Sequence, residues 1–246
     1  MDYWIEKYPS CAGVLQSPIN LQEAKAVYNS KLNPIKFHNY DWLVTWNVSY
    51  NGYTITANQL FNKTLTPYIT GSDFKPENKY YLKEFHFHWG FNIYQGSEHH
   101  LDSNKFPLEI HLVHVSDLNE IAVIGFLFQI DNKDNDNIET LVTQVGKDQT
   151  MSSSLTTPPC TEGIIWTIYR AKINISEAQM EQFYKNEIDF NNREIQELND
   201  RKLFTNRLNN YAFNNYLNFY KKRPEIEIFL VIEKEFISKT HLIFNF

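Results

Sequence analysis

One hexapeptide constrains this chain more than any other. Glu84-Phe85-His86-Phe87-His88-Trp89 alternates polar and apolar residues without a break. A strand sends successive side chains to opposite faces, so period-two alternation fits a half-buried strand and does not fit a helix. Phe85, Phe87 and Trp89 then share an apolar face, and Glu84, His86 and His88 share the other. Two imidazoles at i and i+2 point the same way and can reach one metal ion. The pair alone does not separate a ligand pair from a structural or exposed pair of histidines.

The rest of the chain repeats this local logic. Short apolar runs at 42–46, 53–55, 80–89, 108–115, 121–130 and 164–169 are separated by loops with Asn, Asp, Gly or Pro, the pattern of strands and turns. Aromatic residues make up 15% of the chain, which also favours strands. Helical periodicity is confined to 138–145 and 176–187, the second opening on a capping box of Ser176 and Gln179. With 246 residues, no internal repeat and no Gly/Ser linker, the expectation is one mainly β domain with short helices over 1–246. The tail run at 226–232 is short and broken by Glu227, so it reads as a strand and not as a membrane span. A net charge of −6 argues against a general nucleic-acid binder, which needs a basic face.

A second strand supplies a third imidazole. In Leu108-Glu109-Ile110-His111-Leu112-Val113-His114, alternation puts Glu109, His111 and Val113 on one face. The turn-rich stretch 90–107 lets this strand lie antiparallel beside the first, with His111 opposite the pair. Three His without Cys, held on a sheet, is the catalytic form of a zinc site, because the fourth position stays open. His99 and His114 read as hydrogen-bonded core histidines. The two cysteines, Cys11 and Cys160, fit either free thiols or one disulfide.

At this point the chain resembles the α-class carbonic anhydrases. The likeness rests on His86-Phe87-His88-Trp89-Gly90, Gly96-Ser97-Glu98-His99 and the 107–114 strand, with Gln16-Ser17-Pro18-Ile19-Asn20 before them and Ser154-Leu155-Thr156-Thr157-Pro158-Pro159 after. It covers about residues 4–176 and fades after Thr205, leaving 206–246 divergent. The resemblance implies a large twisted, mostly antiparallel sheet with zinc at the bottom of a conical cleft. It implies His86, His88 and His111 as zinc ligands, with Glu84 and Glu109 as the partners of His86 and His111. Thr156 and Glu98 would orient the attacking oxygen, and Thr157 would assist at the cleft floor. Val113, Val123, Leu155, Ile164 and Trp166 match the apolar pocket for carbon dioxide. The implied activity is reversible hydration of carbon dioxide to bicarbonate by a monomer. The alternative is a related binding protein with catalysis weakened or lost.

The resemblance also pairs Cys11 with Cys160 in a disulfide, as in secreted members. In the chain-entropy model so long a loop contributes roughly 5 kcal/mol. Three sequons, at Asn47, Asn62 and Asn174, agree with a secreted glycoprotein, although Met1-Asp2-Tyr3-Trp4 does not open a signal peptide. Tyr53 stands where fast members carry a proton-shuttling His, so proton transfer is expected to limit turnover. Glu84 stands where the family has Gln, and a carboxylate there is expected to make the zinc water less acidic. The interval from the 126–130 run to Ser154 is short, as if an internal strand were missing, and the family's aromatic N-terminal segment is absent. A sheet that loses an internal strand is expected to expose unpaired backbone groups.

Overall fold

The computed structural model describes residues 2–40, 46–50, 54–59, 64–72, 74–75, 77–138, 156–185, 189–206 and 227–231. Its strands are β1 (Asn20–Leu21), β2 (Val27–Tyr28), β3 (Asn33–His38), β4 (Trp46–Tyr50), β5 (Ile55–Gln59), β6 (Tyr68–Ser72) and β7 (Tyr80–Trp89). They continue with β8 (His100–Leu101), β9 (Leu108–Ser116), β10 (Ile121–Asp131), β11 (Ile165–Ser176), β12 (Lys202–Thr205) and β13 (Glu227–Val231). The helices α1 (Asp2–Lys7) and α2 (Glu177–Tyr184) accompany them. The α2 capping box forms as its sequence predicts: Gln179 N donates to Ser176 Oγ at 3.0 Å, and Ser176 N donates to Gln179 Oε1 at 3.4 Å. Among the described residues no helix is long and apolar enough to cross a membrane.

The main sheet runs β2-β12-β13-β11-β10-β9-β7-β5-β4, with β3 and β6 alongside. β7 is long enough to pair twice on one side: Tyr68 of β6 faces Tyr81, and Thr56 of β5 faces His86. From β4 to β10 every pairing is antiparallel. The sheet is thus mostly antiparallel, as expected, and the other flank is its parallel part. There β10, β11, β13, β12 and β2 pair in parallel. Parallel neighbours need long crossover connections, and the chain between β10 and β11 is long enough to be one.

Both faces of the central strands are covered. On one, Phe85, Phe87, Trp89, Ile110, Leu112, Ile124, Phe126 and Phe128 are buried with Met180 and Phe183 of α2. Each large apolar side chain so buried contributes about 1.5–3 kcal/mol. The opposite face carries a smaller cluster in which Val113, Val123, Trp166, Ile168 and Leu203 pack with Ile19 and Leu21. The histidines of β7 and β9 lie on this second face. They are buried because the Gln16–Asn20 segment, the 96–101 loop and the 189–201 segment cover that face. Of the helix expected at 138–145 only Ile138 falls within the described residues; of the 42–46 run only Trp46 does, and of the 53–55 run Thr54 and Ile55.

Candidate metal centre

Register brings the three predicted ligands together. His86 of β7 faces His111 of β9 directly, and His88 lies two residues along on the same face. The ring centroids are 5.1 Å apart for His86 and His88, 5.2 Å for His86 and His111, and 4.6 Å for His88 and His111. One nitrogen from each ring lies within 4.8 Å of the others. All three residues are at most 1% exposed.

Neighbouring groups decide which nitrogen each ring offers. His88 Nδ1 donates to the Asn191 carbonyl at 3.0 Å, which leaves Nε2 its lone pair. His111 Nε2 donates to Glu109 Oε1 at 2.7 Å, which leaves Nδ1 bare. Glu84 Oε1 lies 3.5 Å from His86 Nδ1, a looser contact. Neither ring nitrogen of His86 has a hydrogen-bond partner among the described residues. Burial, reinforced by the neighbouring imidazoles, pushes His88 well below the usual histidine range. Burial likewise lowers His111 to about 4, against the pull of Glu109. Both rings are therefore neutral at pH 7 and offer a lone pair.

The second tier holds two buried carboxyl groups of opposite tendency, Glu109 and Glu98. Glu109 accepts from the backbone N–H groups of Glu98 and His99 and from the rings of His99 and His111, all at 2.7–2.9 Å. Burial alone would raise its carboxyl, but the two histidines outweigh it and hold the group well below the carboxylate range. Gly125 sits opposite His111 on β10. A Cβ there would come within 2.5 Å of Ile168 Cδ1 and 3.3 Å of Glu109 Oε1, so the glycine keeps room for the Glu109–His111 pair. Glu98 accepts from Arg193 N at 2.8 Å and lies 3.3 Å from His88 Nδ1. Its Oε2 is buried without a hydrogen-bond partner among the described residues. Burial and then the Glu109 charge push Glu98 up to about 8, against the pull of the Arg193 backbone and the Thr156 hydroxyl. Thr156 Oγ1 is 3.5 Å from His88 Nε2.

These groups fit a divalent cation. The lone pairs of His88 and His111 converge with the unpartnered ring of His86, and the Glu109 carboxylate lies behind His111. Three histidine nitrogens without thiolate suit zinc and leave a position open.

The predicted apolar wall assembles in part. Val113 faces Val123, and Val123 faces Trp166, in one row across β9, β10 and β11. Ile164 packs at the edge of the same cluster, and the Trp166 ring lies 4.8 Å from that of His111. Thr157 is buried beside Thr156. Tyr53 and Leu155 lie outside the described residues. Cys11 and Cys160 form the disulfide, with Cα atoms 4.9 Å apart, tying the Thr156–Cys160 turn to the N-terminal segment. His99 is a buried partner of Glu109, and Tyr40 donates to His114 inside the core, as expected of core histidines.

Two contributors were not anticipated. Asn191 supplies the carbonyl that fixes His88, and its side chain bonds the backbone of Phe87 and Trp89 at 2.9 and 2.7 Å. Arg193 reaches Gln16 Oε1, the Ser17 carbonyl and the Cys11 carbonyl at 2.9–3.2 Å while its N–H holds Glu98. The string Asn191-Asn192-Arg193 gives no local signal, since its polar residues read as an ordinary loop.

Comparison with known proteins agrees with this geometry. The family model of eukaryotic-type carbonic anhydrase matches residues 1–152 and 149–207. The chain is 32% identical to carbonic anhydrase 6 of Mus musculus, covering 78% of this chain and 71% of that one. It is 31% identical to putative carbonic anhydrase 3 of Caenorhabditis elegans, covering 78% and 89%. It is also 31% identical to carbonic anhydrase 7 of Homo sapiens, covering 74% and 80%.

Proposed function

Because the chain belongs to the eukaryotic-type carbonic anhydrase family, we propose that it is a zinc-dependent enzyme that interconverts carbon dioxide and bicarbonate. The observation that carries this reading is the convergence of three imidazole nitrogens beside Thr156 and Glu98. His86 and His88 would hold zinc through Nε2 and His111 through Nδ1. Bound there, zinc supplies the Lewis acidity that makes water nucleophilic near neutral pH.

The chain's own residues do the rest. Glu109, Glu84 and the Asn191 carbonyl hold the three rings in place. Thr156 Oγ1 would accept a hydrogen bond from the attacking oxygen and donate its own to Glu98, which turns the oxygen lone pair toward the substrate. Thr157 borders the same floor. Carbon dioxide is apolar, and the wall of Val113, Val123, Trp166 and Ile164 accepts it without demanding a hydrogen bond, with Leu155 proposed as a further member. Tyr53 replaces a shuttle histidine in this reading, so added imidazole buffer is expected to raise turnover. The Cys11–Cys160 disulfide supports an oxidising, extracellular location. We take the working unit to be a monomer.

The test is stopped-flow hydration of carbon dioxide together with zinc analysis. One zinc per chain and sulfonamide-sensitive hydration are expected. A zinc-loaded protein with no hydration above buffer would turn the reading to a binding protein that has lost catalysis.

A further inference from the structure

The last strand in the sequence is not at the edge of the sheet. β11 and β12 do not pair with each other, because β13 stands between them, parallel to both. Trp166 faces Ile228 and Tyr169 faces Val231 on one side, and Lys202 faces Glu227 and Thr205 faces Leu230 on the other. The family match ends at residue 207. β13 therefore lies beyond it, while both its neighbours lie within it.

Paired strands are about 4.8 Å apart, so β11 and β12 are separated by about twice that and cannot bond across the gap. Without β13 each would present a row of unpaired N–H and C=O groups. A chain made in order must complete β11 and β12 before β13 exists, so the gap precedes its occupant. Ile228-Phe229-Leu230-Val231 is a continuous apolar run of strand formers, the composition of a central parallel strand. The connection from β12 exceeds the roughly dozen residues that a parallel crossover needs. On β11, Trp166 and Ile168 belong to the cluster behind the metal centre, and Trp166 lies 4.9 Å from His99 and 4.8 Å from His111, centroid to centroid.

We propose that the gap between β11 and β12 is a strand-accepting site, that its ligand is an extended apolar peptide, and that the occupant is this chain's own Glu227–Val231 segment. Filling the gap braces the strand that presses Trp166 against His111. The segment does the work of the internal strand that the short interval before Ser154 leaves out. This inference concerns backbone pairing and does not depend on zinc chemistry, so its failure leaves the proposed activity standing.

Hydrogen exchange read by mass spectrometry on the full chain tests it. Amides of 227–231 are expected to exchange on the order of 100-fold slower than in a free peptide of the same sequence. Leu230→Pro removes a ladder donor. It should speed exchange at 166–169 and 203–205 while 85–88 and 110–112 stay protected, and a synthetic peptide of residues 225–233 should restore protection. Exchange of 227–231 at free-peptide rates in the unmodified chain would overturn the proposal, and that measurement decides the case if the proline variant does not fold. Unchanged protection at 166–169 in a folded Leu230→Pro chain, or no restoration by the peptide at millimolar concentration, would overturn the strand-accepting site.

Discussion

The antiparallel block of β5, β7, β9 and β10 and the parallel flank of β11, β13, β12 and β2 build one sheet from different kinds of information. In the block, neighbours in space are near neighbours in sequence, and the β9–β10 turn is the shortest case. Alternation fixes which side chains share a face, and pairing then sets His86 opposite His111. In the flank, most pairings join segments far apart in the chain, β2 with β12 above all, and the central place is taken by the segment that arrives last. The block holds all three predicted ligands. The flank supplies Trp166 and part of the apolar wall. The chemistry thus sits where local pattern determines geometry, and the flank sets what surrounds it.

The largest expected effect breaks the block and spares the flank. His111→Ala should remove zinc and lower hydration by about a thousand-fold, the equivalent of several kcal/mol of transition-state stabilisation. Hydrogen exchange in β11 and β12 should stay near that of the parent. Loss of flank protection in this variant would mean that the two halves are not separable.

A smaller effect compares two carboxylates within the block. Glu109 meets His111 at 2.7 Å, whereas Glu84 stands 3.5 Å from His86. Glu109→Gln is therefore expected to weaken zinc binding by about 10–100-fold, and Glu84→Gln by less. Chelator competition measures both. Equal losses would show that the distances do not rank the two contacts.

The block's pH response comes next. Burial lowers His114 to about 3 in the folded protein, while an unfolded chain protonates it near the ordinary ~6.5. Between these values the unfolded state holds the extra proton, so stability falls as pH falls through the window, at up to about 1.4 kcal/mol per pH unit. Urea midpoints from pH 7 to 4 should drop less steeply in His114→Gln than in the parent. An unchanged slope would assign the acid sensitivity to other groups.

The smallest effect is at the surface. A hydrogen bond from Tyr80, then one from Lys75, lowers Glu120 from its ordinary value. Such a group adds stability above its unfolded pKa and loses it as pH falls through the folded pKa. Glu120→Gln should lower the melting temperature slightly at pH 7 and not at pH 3, with no change in zinc content. A large drop at pH 7 would contradict an exposed, solvent-screened pair.

Much of the block was legible in the sequence for a physical reason. Period-two alternation at 84–89 and 108–114 carries both strand and face, and a three-histidine set follows from it. The tail strand was legible too, as a short apolar run, but its partners were not, because parallel pairing leaves no mark in either strand. The sheet is mostly antiparallel as expected, and its parallel flank went unread for the same cause. Asn191 and Arg193 escaped because each acts through backbone groups distant in sequence. Gly125 escaped because the reason for a missing Cβ lies on neighbouring strands.

The central claim is that one imidazole nitrogen from each of His86, His88 and His111 meets at a single zinc ion. X-ray absorption spectroscopy of the zinc-loaded full chain, alongside a His88→Ala control, tests it most directly. Three imidazole nitrogens and one oxygen at about 2.0–2.1 Å are expected, with one imidazole lost in the control. Sulfur in the coordination sphere, fewer than three imidazoles, or a spectrum unaltered by His88→Ala would contradict the account.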